Sequence, residues 1–196
     1  MNRRELIKQM GLGLGYMSIS PAILNVFQSC KQVDKGWKPE VIPLKLKGLT
    51  DVMVDFFLPI TETPGGTDLN LTIFIDKLLL GAETLEMQNL FKAGAYAFKE
   101  KLERTCKLSI DKIEKMKINQ ILKNYCDLSE TQTQIVFQNL DRPFNQVETQ
   151  NREIYLVYHF ITKVRYYALL GYFTSQDIVE DVQQINPNLG YYNACV

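Results

Sequence analysis

The chain has 196 residues, a length that suits one domain with a processed or tethered end. Its residues are 46% hydrophobic and 22% charged, as in a globular protein with a buried core, and its formal net charge is zero. A neutral chain lacks the basic surface that nucleic-acid binding requires, so we exclude nucleic acid as a partner.

Three glycines stand at alternate positions near the N-terminus, from Gly11 to Gly15, and such a run can indicate a dinucleotide-binding loop. That motif requires G-x-G-x-x-G directly after a strand, with an acidic residue about 20 positions later. Here the spacing is G-x-G-x-G, four of the ten preceding residues are charged, and the next acidic residue, Asp34, follows a proline and a cysteine. The context therefore excludes this kind of site.

The same segment has the pattern of an export signal. Arg3 and Arg4 stand in the sequence NRRELIK, which resembles the twin-arginine signal, and a weakly apolar, glycine-rich stretch follows as far as Phe27. Paired guanidinium groups suit a receptor that binds them through carboxylates, because each planar group can form two parallel hydrogen bonds. We predict a twin-arginine-type signal over residues 1–29, and this export route carries proteins that are already folded.

Cys30 follows a small residue, Ser29, in the sequence VFQSC, which resembles a lipoprotein processing site. Phe27 stands where such sites usually have leucine, so the match is relaxed. Lipid attachment at Cys30 is the first prediction, while cleavage nearby without modification and retention as an uncleaved anchor stay open. In each case we expect an exported protein of the periplasm or the cell envelope.

The rest of the chain predicts a tether followed by one compact all-α domain. Residues 30–48 are charged, contain two prolines and show no sustained period, which is typical of a tether. Residues 49–196 show helical periodicity without an alternating strand pattern, which predicts five or six helices. The first three predicted helices run from an N-cap at Thr50 to near Pro59, from Leu71 to Leu80 with Gly81 as C-cap, and from Glu83 to about Lys107. The next two begin after N-caps at Ser109 and Ser129. The last runs from about Gln146 to Tyr172.

The last predicted helix is apolar and long enough to span a bilayer, but Lys163 and Arg165 lie near the centre of its apolar stretch. Each charge would cost several kcal/mol in hydrocarbon, so we predict a buried or half-buried helix of a globular domain.

Few side chains could carry out catalysis or bind a metal. His159 is the only histidine, and without a second ligand at metal-binding spacing we predict a core or interface histidine with its hydrogen bonds satisfied. The most suggestive carboxylates, Asp55, Glu62 and Asp76, are predicted to cap helices or brace the loop between them. The chain has no haem-attachment motif, cysteine cluster or nucleophile–base pair, so we nominate no catalytic, cofactor-binding or metal-binding residue.

Three thiols besides Cys30 would meet an oxidising compartment after export. Cys106 and Cys126 are predicted to lie roughly 20 Å apart along successive helices, too far for a disulfide. An odd number of thiols leaves one free or paired with another chain, and Cys195, one residue from the C-terminus, is the candidate for an intersubunit disulfide.

Two regions resemble the gluconate 2-dehydrogenase subunit 3 (small subunit) family. The stretch FFLPITETPG, followed by FID, is similar to the family's Pro-x-Thr-Asp/Glu-x-Pro-Gly turn and its Phe-Ile-Asp helix ending. The signature positions in this chain are Pro59, Thr61, Glu62, Pro64, Gly65 and Asp76. The closing portion, with Val164-Arg165, Gly171 to Ser175, Gly190-Tyr191 and Cys195, is similar as well, and the twin-arginine leader is typical of the family.

The resemblance implies a non-catalytic subunit that accompanies a larger flavin-dependent dehydrogenase of the glucose–methanol–choline type, often together with a cytochrome c. FAD and haem c would then belong to the partner subunits, and this chain would carry the export signal for the flavoprotein. The leading hypothesis is an accessory subunit that escorts and stabilises an exported dehydrogenase of sugars, sugar acids or polyols. The alternative is a free-standing envelope lipoprotein that serves as a binding or scaffold module.

Overall fold

A computed structural model describes residues 37–179, and this part of the chain consists of α-helices, short 3-10 turns and loops, without a strand. The all-α prediction is therefore confirmed. The helices are α1 (Lys47–Phe57), α2 (Leu71–Ala82), α3 (Leu85–Cys106), α4 (Lys115–Cys126), α5 (Glu130–Leu140) and α6 (Arg152–Thr174). None of the helices in this range combines the length and the hydrophobicity that crossing a membrane requires.

The longest helix, α6, lies at the centre of the domain and packs against α1, α2, α3 and α5. Its most extensive contact is with α3, where the Phe160 ring meets Phe91 edge-on at a centroid distance of 5.0 Å and Phe98 at 6.2 Å. All three rings are fully buried. Burial of such a side chain stabilises the fold by about 2 to 3 kcal/mol, so this aromatic cluster is a main source of stability.

The close packing of α3 on α6 depends on a glycine. A Cβ at Gly94 would lie 2.6 Å from the backbone oxygen of Leu156 and 2.8 Å from the Cβ of Phe160. The backbones of the two helices can therefore approach only because position 94 has no side chain.

The folded domain begins earlier than the sequence predicted. The tether was predicted to extend to Gly48, but Val41, Ile42 and Leu46 are buried in the core and α1 begins at Lys47. Thr50, predicted as the N-cap of this helix, is buried inside it, where its hydroxyl donates to the carbonyl oxygen of Leu46. Pro43 and Lys45 interrupt the apolar pattern of residues 41–46, and only the contacts with distant helices show that this segment belongs to the domain.

Helix boundaries were predicted with mixed success. Ser129 and Gln132 form the predicted capping box at the start of α5. Gly81 is not a C-cap, because α2 continues to Ala82. Ser109 precedes a 3-10 turn, and α4 begins only after Glu114. The last helix also starts later than predicted, at Arg152, because two 3-10 turns occupy residues 144–146 and 149–151.

The helix α5 differs from the others because none of its residues is buried. Ile135 and Phe137 are 52% and 54% exposed. An isolated helix of this length is marginal in water, since nucleation is unfavourable and tertiary packing supplies most helical stability. The helix α5 thus leaves apolar side chains exposed to solvent.

Candidate functional site

The loop between α1 and α2, residues 58–70, contains most of the family-like signature and is held by side chains from α1 and α6. Asp55 in α1 accepts a hydrogen bond from the backbone N–H of Thr67 at 3.0 Å, which confirms the bracing role predicted for this carboxylate. Near the end of α6, the Tyr172 hydroxyl donates to the Thr63 hydroxyl at 2.9 Å. These contacts fix the loop on the helical framework.

Two glycines allow the loop to turn tightly. A Cβ at Gly65 would lie 2.5 Å from Cγ1 of Ile60, and a Cβ at Gly66 would lie 2.3 Å from Cγ1 of Val54. The backbone N–H of Gly66 donates to the carbonyl oxygen of Leu58 at 2.9 Å and closes the turn. A side chain at Gly66 would therefore push the loop away from α1, and one at Gly65 would collide with Ile60 and Leu58 of the loop itself.

The first half of the signature faces solvent. Pro59, Thr61 and Glu62 are exposed, Pro64 is half-buried, and Ile60 between them is 67% exposed. Glu62 was predicted to brace the loop or cap a helix, but it makes no such contact within residues 37–179. The loop thus presents Pro59 to Glu62 as an outward-facing surface on a fixed base.

The second half of the signature is internal. Asp76 in α2 is 1% exposed, and its carboxylate accepts three hydrogen bonds from the backbone of the segment that precedes α1. Oδ1 accepts from the N–H groups of Val41 at 2.9 Å and Ile42 at 2.7 Å, while Oδ2 accepts from that of Glu40 at 2.9 Å. Asp76 is a structural clamp that attaches the N-terminal segment to the domain, instead of the predicted cap of a helix or brace of the loop between α1 and α2.

A polar cluster that the sequence analysis missed connects the end of α2 to α6. Lys163 Nζ lies 2.6 Å from Oε1 of Glu83, the residue that caps α2, and the Tyr167 hydroxyl donates to the same carboxylate oxygen. A lysine within an apolar helix was the only sequence signal for this cluster, because Glu83 lies 80 positions away from it.

The pKa values of the two acidic groups in this cluster, Glu83 and Tyr167, are shifted in opposite directions. Burial opposes ionisation of Glu83, but the hydrogen bonds from Lys163 and Tyr167 outweigh it and lower the pKa of the carboxyl group. Burial and the neighbouring Glu83 carboxylate both raise the pKa of Tyr167. The cluster therefore contains an ionised carboxylate, held by an ammonium group and a neutral phenol, that ties two helices together.

His159 lies one helical turn before Lys163 and is 6% exposed. Its ring stacks on Tyr155 at a centroid distance of 6.2 Å, and neither ring nitrogen has a hydrogen-bond partner within residues 37–179. The core location was predicted correctly, whereas the predicted hydrogen bonds were wrong. Burial, followed by the charge of Lys163, lowers the pKa of His159 to about 4, although Glu83 offsets part of this effect.

Replacing His159 with leucine is expected to remove part of the acid sensitivity of the fold. An exposed histidine titrates near pH 6.5, so between about pH 6.5 and 4 the unfolded chain binds a proton that folded His159 does not. The wild-type protein should lose about 3 kcal/mol of stability as the pH falls through this range, because of His159 alone. The loss should be absent from the variant.

Urea unfolding of both proteins at several pH values measures this difference, and subtraction removes the contribution of the carboxyl groups that the two proteins share. Parallel pH profiles for the wild-type protein and His159→Leu would contradict the assignment.

Four predicted positions, Arg3, Arg4, Cys30 and Cys195, lie outside the described residues, so the export, lipidation and disulfide predictions stay predictions. Of the cysteines within residues 37–179, Cys106 is half-buried, Cys126 is exposed and both are free thiols, as expected. In the same range, no group of three or more histidine, cysteine, aspartate or glutamate side chains is arranged to hold a metal ion.

Comparison with known proteins returned one match. The family model described as gluconate 2-dehydrogenase subunit 3 matches residues 47–191, a range that contains both halves of the signature. Searches of curated proteins and of solved structures returned no match.

Proposed function

The chain belongs to the gluconate 2-dehydrogenase subunit 3 family and is thus the small subunit of a dehydrogenase complex. From this premise we propose that it escorts and stabilises an exported flavoprotein. The partner would be a flavin-dependent dehydrogenase of the glucose–methanol–choline type that acts on sugars, sugar acids or polyols. FAD would be bound by that partner, and haem c by a cytochrome c subunit where one is present. This chain would contribute the export signal and a docking surface.

The observation that carries the proposal is the family match across residues 47–191. The roles of the signature residues are compatible with it, because these residues either hold the fold together or face outward. Asp76 clamps the N-terminal segment, Gly65 allows the tight turn, and Pro59 to Glu62 face outward. Asp76 therefore also holds the segment that would link the domain to its export signal.

The test is affinity purification of the tagged full-length chain from the envelope fraction of its own cells. We expect a flavoprotein to be recovered with it, identified by mass spectrometry and by its visible flavin absorbance. Recovery of the chain alone would favour the alternative of a free-standing envelope lipoprotein. Oxidation of a sugar by the purified chain without a partner would contradict an accessory role.

Replacing both Arg3 and Arg4 with lysine is expected to abolish export of the complex. Lysine keeps the charge but cannot form the paired hydrogen bonds of a guanidinium group. Because the partner would have no signal of its own, both proteins should stay in the cytosolic fraction, as measured by immunoblotting of cell fractions. Arg104→Lys, at an exposed ion pair with Glu153, is a matched control that should be exported normally.

The final anchorage and the intersubunit link are part of the same proposal. Lipid attachment at Cys30 would hold the complex at the membrane surface, so Cys30→Ser should release it into the soluble envelope fraction. Cys195 would form a disulfide with the partner, which non-reducing electrophoresis would detect as a heterodimer. Persistence of that heterodimer band in Cys195→Ser would contradict the disulfide.

A further inference from the structure

We propose that the dehydrogenase subunit docks on the face formed by α5, the adjoining part of α6 and the start of α3, which we call the α5 face. This inference rests on the proposed function. Membership of a complex requires a surface large enough for a stable interface. The remaining question is where on the chain that surface lies.

Two cavities flank α5 and show how loosely this helix packs on the domain. The larger, about 680 Å³, lies between α5, the start of α3 and α6. The smaller, about 290 Å³, lies between α5, the segment before α6 and the first turns of α6. Leu140, Arg142 and Tyr155 line both cavities, so the two form one continuous surface. A helix with open space on both sides of its contact is incomplete as part of a single-chain core.

The composition of the α5 face matches that of a protein–protein interface. Between Thr131 and Leu140 the helix has no charged residue, although 22% of the whole chain is charged. Interface centres are depleted of lysine, glutamate and aspartate and enriched in aromatic residues, methionine and arginine. The face supplies Phe137 and Tyr166, which are 54% and 56% exposed, together with Met87 and Arg142.

The α5 face is one continuous surface, because the two cavities share three lining residues. Four exposed large apolar side chains lie on it, namely Ile135, Phe137, Ile154 and Tyr166. The other exposed large apolar side chains in the described residues lie outside this face, as Leu44, Leu108 and Met116 do. Single exposed apolar side chains are ordinary on a protein surface.

Family membership names the dehydrogenase as the occupant, and the chemistry of the face indicates what kind of surface that partner would present. Apolar and aromatic side chains of the dehydrogenase would pack against Phe137, Ile135 and the other apolar residues that line the cavities. Arg142 and Arg165 lie at the larger cavity and form no ion pair within the described residues. They would therefore pair with carboxylates at the margin of the docked surface. Glu86 and Asp141 line the same cavity, so the complementary surface should be mixed in charge around an apolar centre.

The experiment compares two glutamate substitutions at exposed apolar positions in the full-length tagged chain. Phe137→Glu places a charge at the centre of the α5 face, and Met116→Glu places one on α4, where the side chain is 78% exposed. Both variants should fold, as circular dichroism and thermal melting would verify, because neither position is buried. We expect Phe137→Glu to reduce the recovered flavoprotein by a factor of about 30 or more, and Met116→Glu to leave it unchanged.

The outcomes separate the two proposals. If the wild-type chain recovers the flavoprotein and Phe137→Glu recovers it equally well, the docking face is wrong and the accessory function stands. If the wild-type chain recovers no flavoprotein, both are wrong. If the wild-type chain alone forms a homodimer that Phe137→Glu dissociates, while flavoprotein recovery is unchanged, the occupant is a second copy and the inference is overturned.

Discussion

Asp76→Ala is expected to lower the free energy of unfolding by about 4 kcal/mol, because it removes three hydrogen bonds to a charged acceptor. The donors are the backbone N–H groups of Glu40, Val41 and Ile42, and the bonds to the last two are buried. Without Asp76 the buried N–H groups would have no partner and the segment before α1 would detach. Urea unfolding measures the stability, and hydrogen exchange at residues 40–42 shows whether the segment remains bound.

Asp51→Ala is the matched control for this substitution. Asp51 pairs with Lys47 on the surface of α1, at 2.7 Å, and its side chain is 27% exposed. Such a pair contributes at most about 1 kcal/mol, so this variant should unfold close to the wild type and keep residues 40–42 protected. Equal stability of the Asp76 and Asp51 variants would show that the clamp contributes little. Asp76→Asn should be intermediate, because the amide keeps one acceptor oxygen and brings its NH₂ group towards a backbone donor.

Gly94→Ala is expected to destabilise the protein by about 3 kcal/mol, at the upper end of the cost of overpacking a core. The added Cβ would lie 2.6 Å from the backbone oxygen of Leu156, and a backbone atom within α6 cannot rotate away as a side chain can. The helices α3 and α6 would have to separate, which would loosen the contact between Phe91 and Phe160. Thermal unfolding and near-ultraviolet circular dichroism of the aromatic residues would measure both effects.

Gly48→Ala has the opposite expected sign and is the control for glycine-to-alanine substitution. Gly48 is exposed near the start of α1, and a Cβ there would have no heavy atom within 4 Å. The substitution should stabilise α1 by up to about 1 kcal/mol through helix propensity. If both variants shift stability in the same direction, the proposed close contact at Gly94 is wrong.

Asp76 and Gly94 also show the limits of prediction from sequence. Asp76 was recognised as part of a signature and expected to brace a loop or cap a helix. Its partners were not predicted, since Glu40, Val41 and Ile42 lie 34 to 36 positions earlier in a segment interpreted as a tether. Gly94 attracted no interpretation, because a single glycine in a helical pattern does not indicate which neighbour approaches it.

The same limit applies to the polar cluster and to His159. The sequence shows Lys163 and His159 in an apolar helix, and their spacing places them one turn apart. It does not show Glu83 beside them, because that contact depends on how the end of α2 meets α6.

The sequence by itself determined the all-α class, the capping box at Ser129 and the family, because helical periodicity, capping and short motifs depend on residues a few positions apart. Only the tertiary structure decided that residues 41–46 belong to the core, that Asp76 clamps them, that α3 and α6 meet at Gly94 and that α5 remains half-covered. Each of these features joins residues from separate elements, and such contacts follow from how the helices pack rather than from any local pattern.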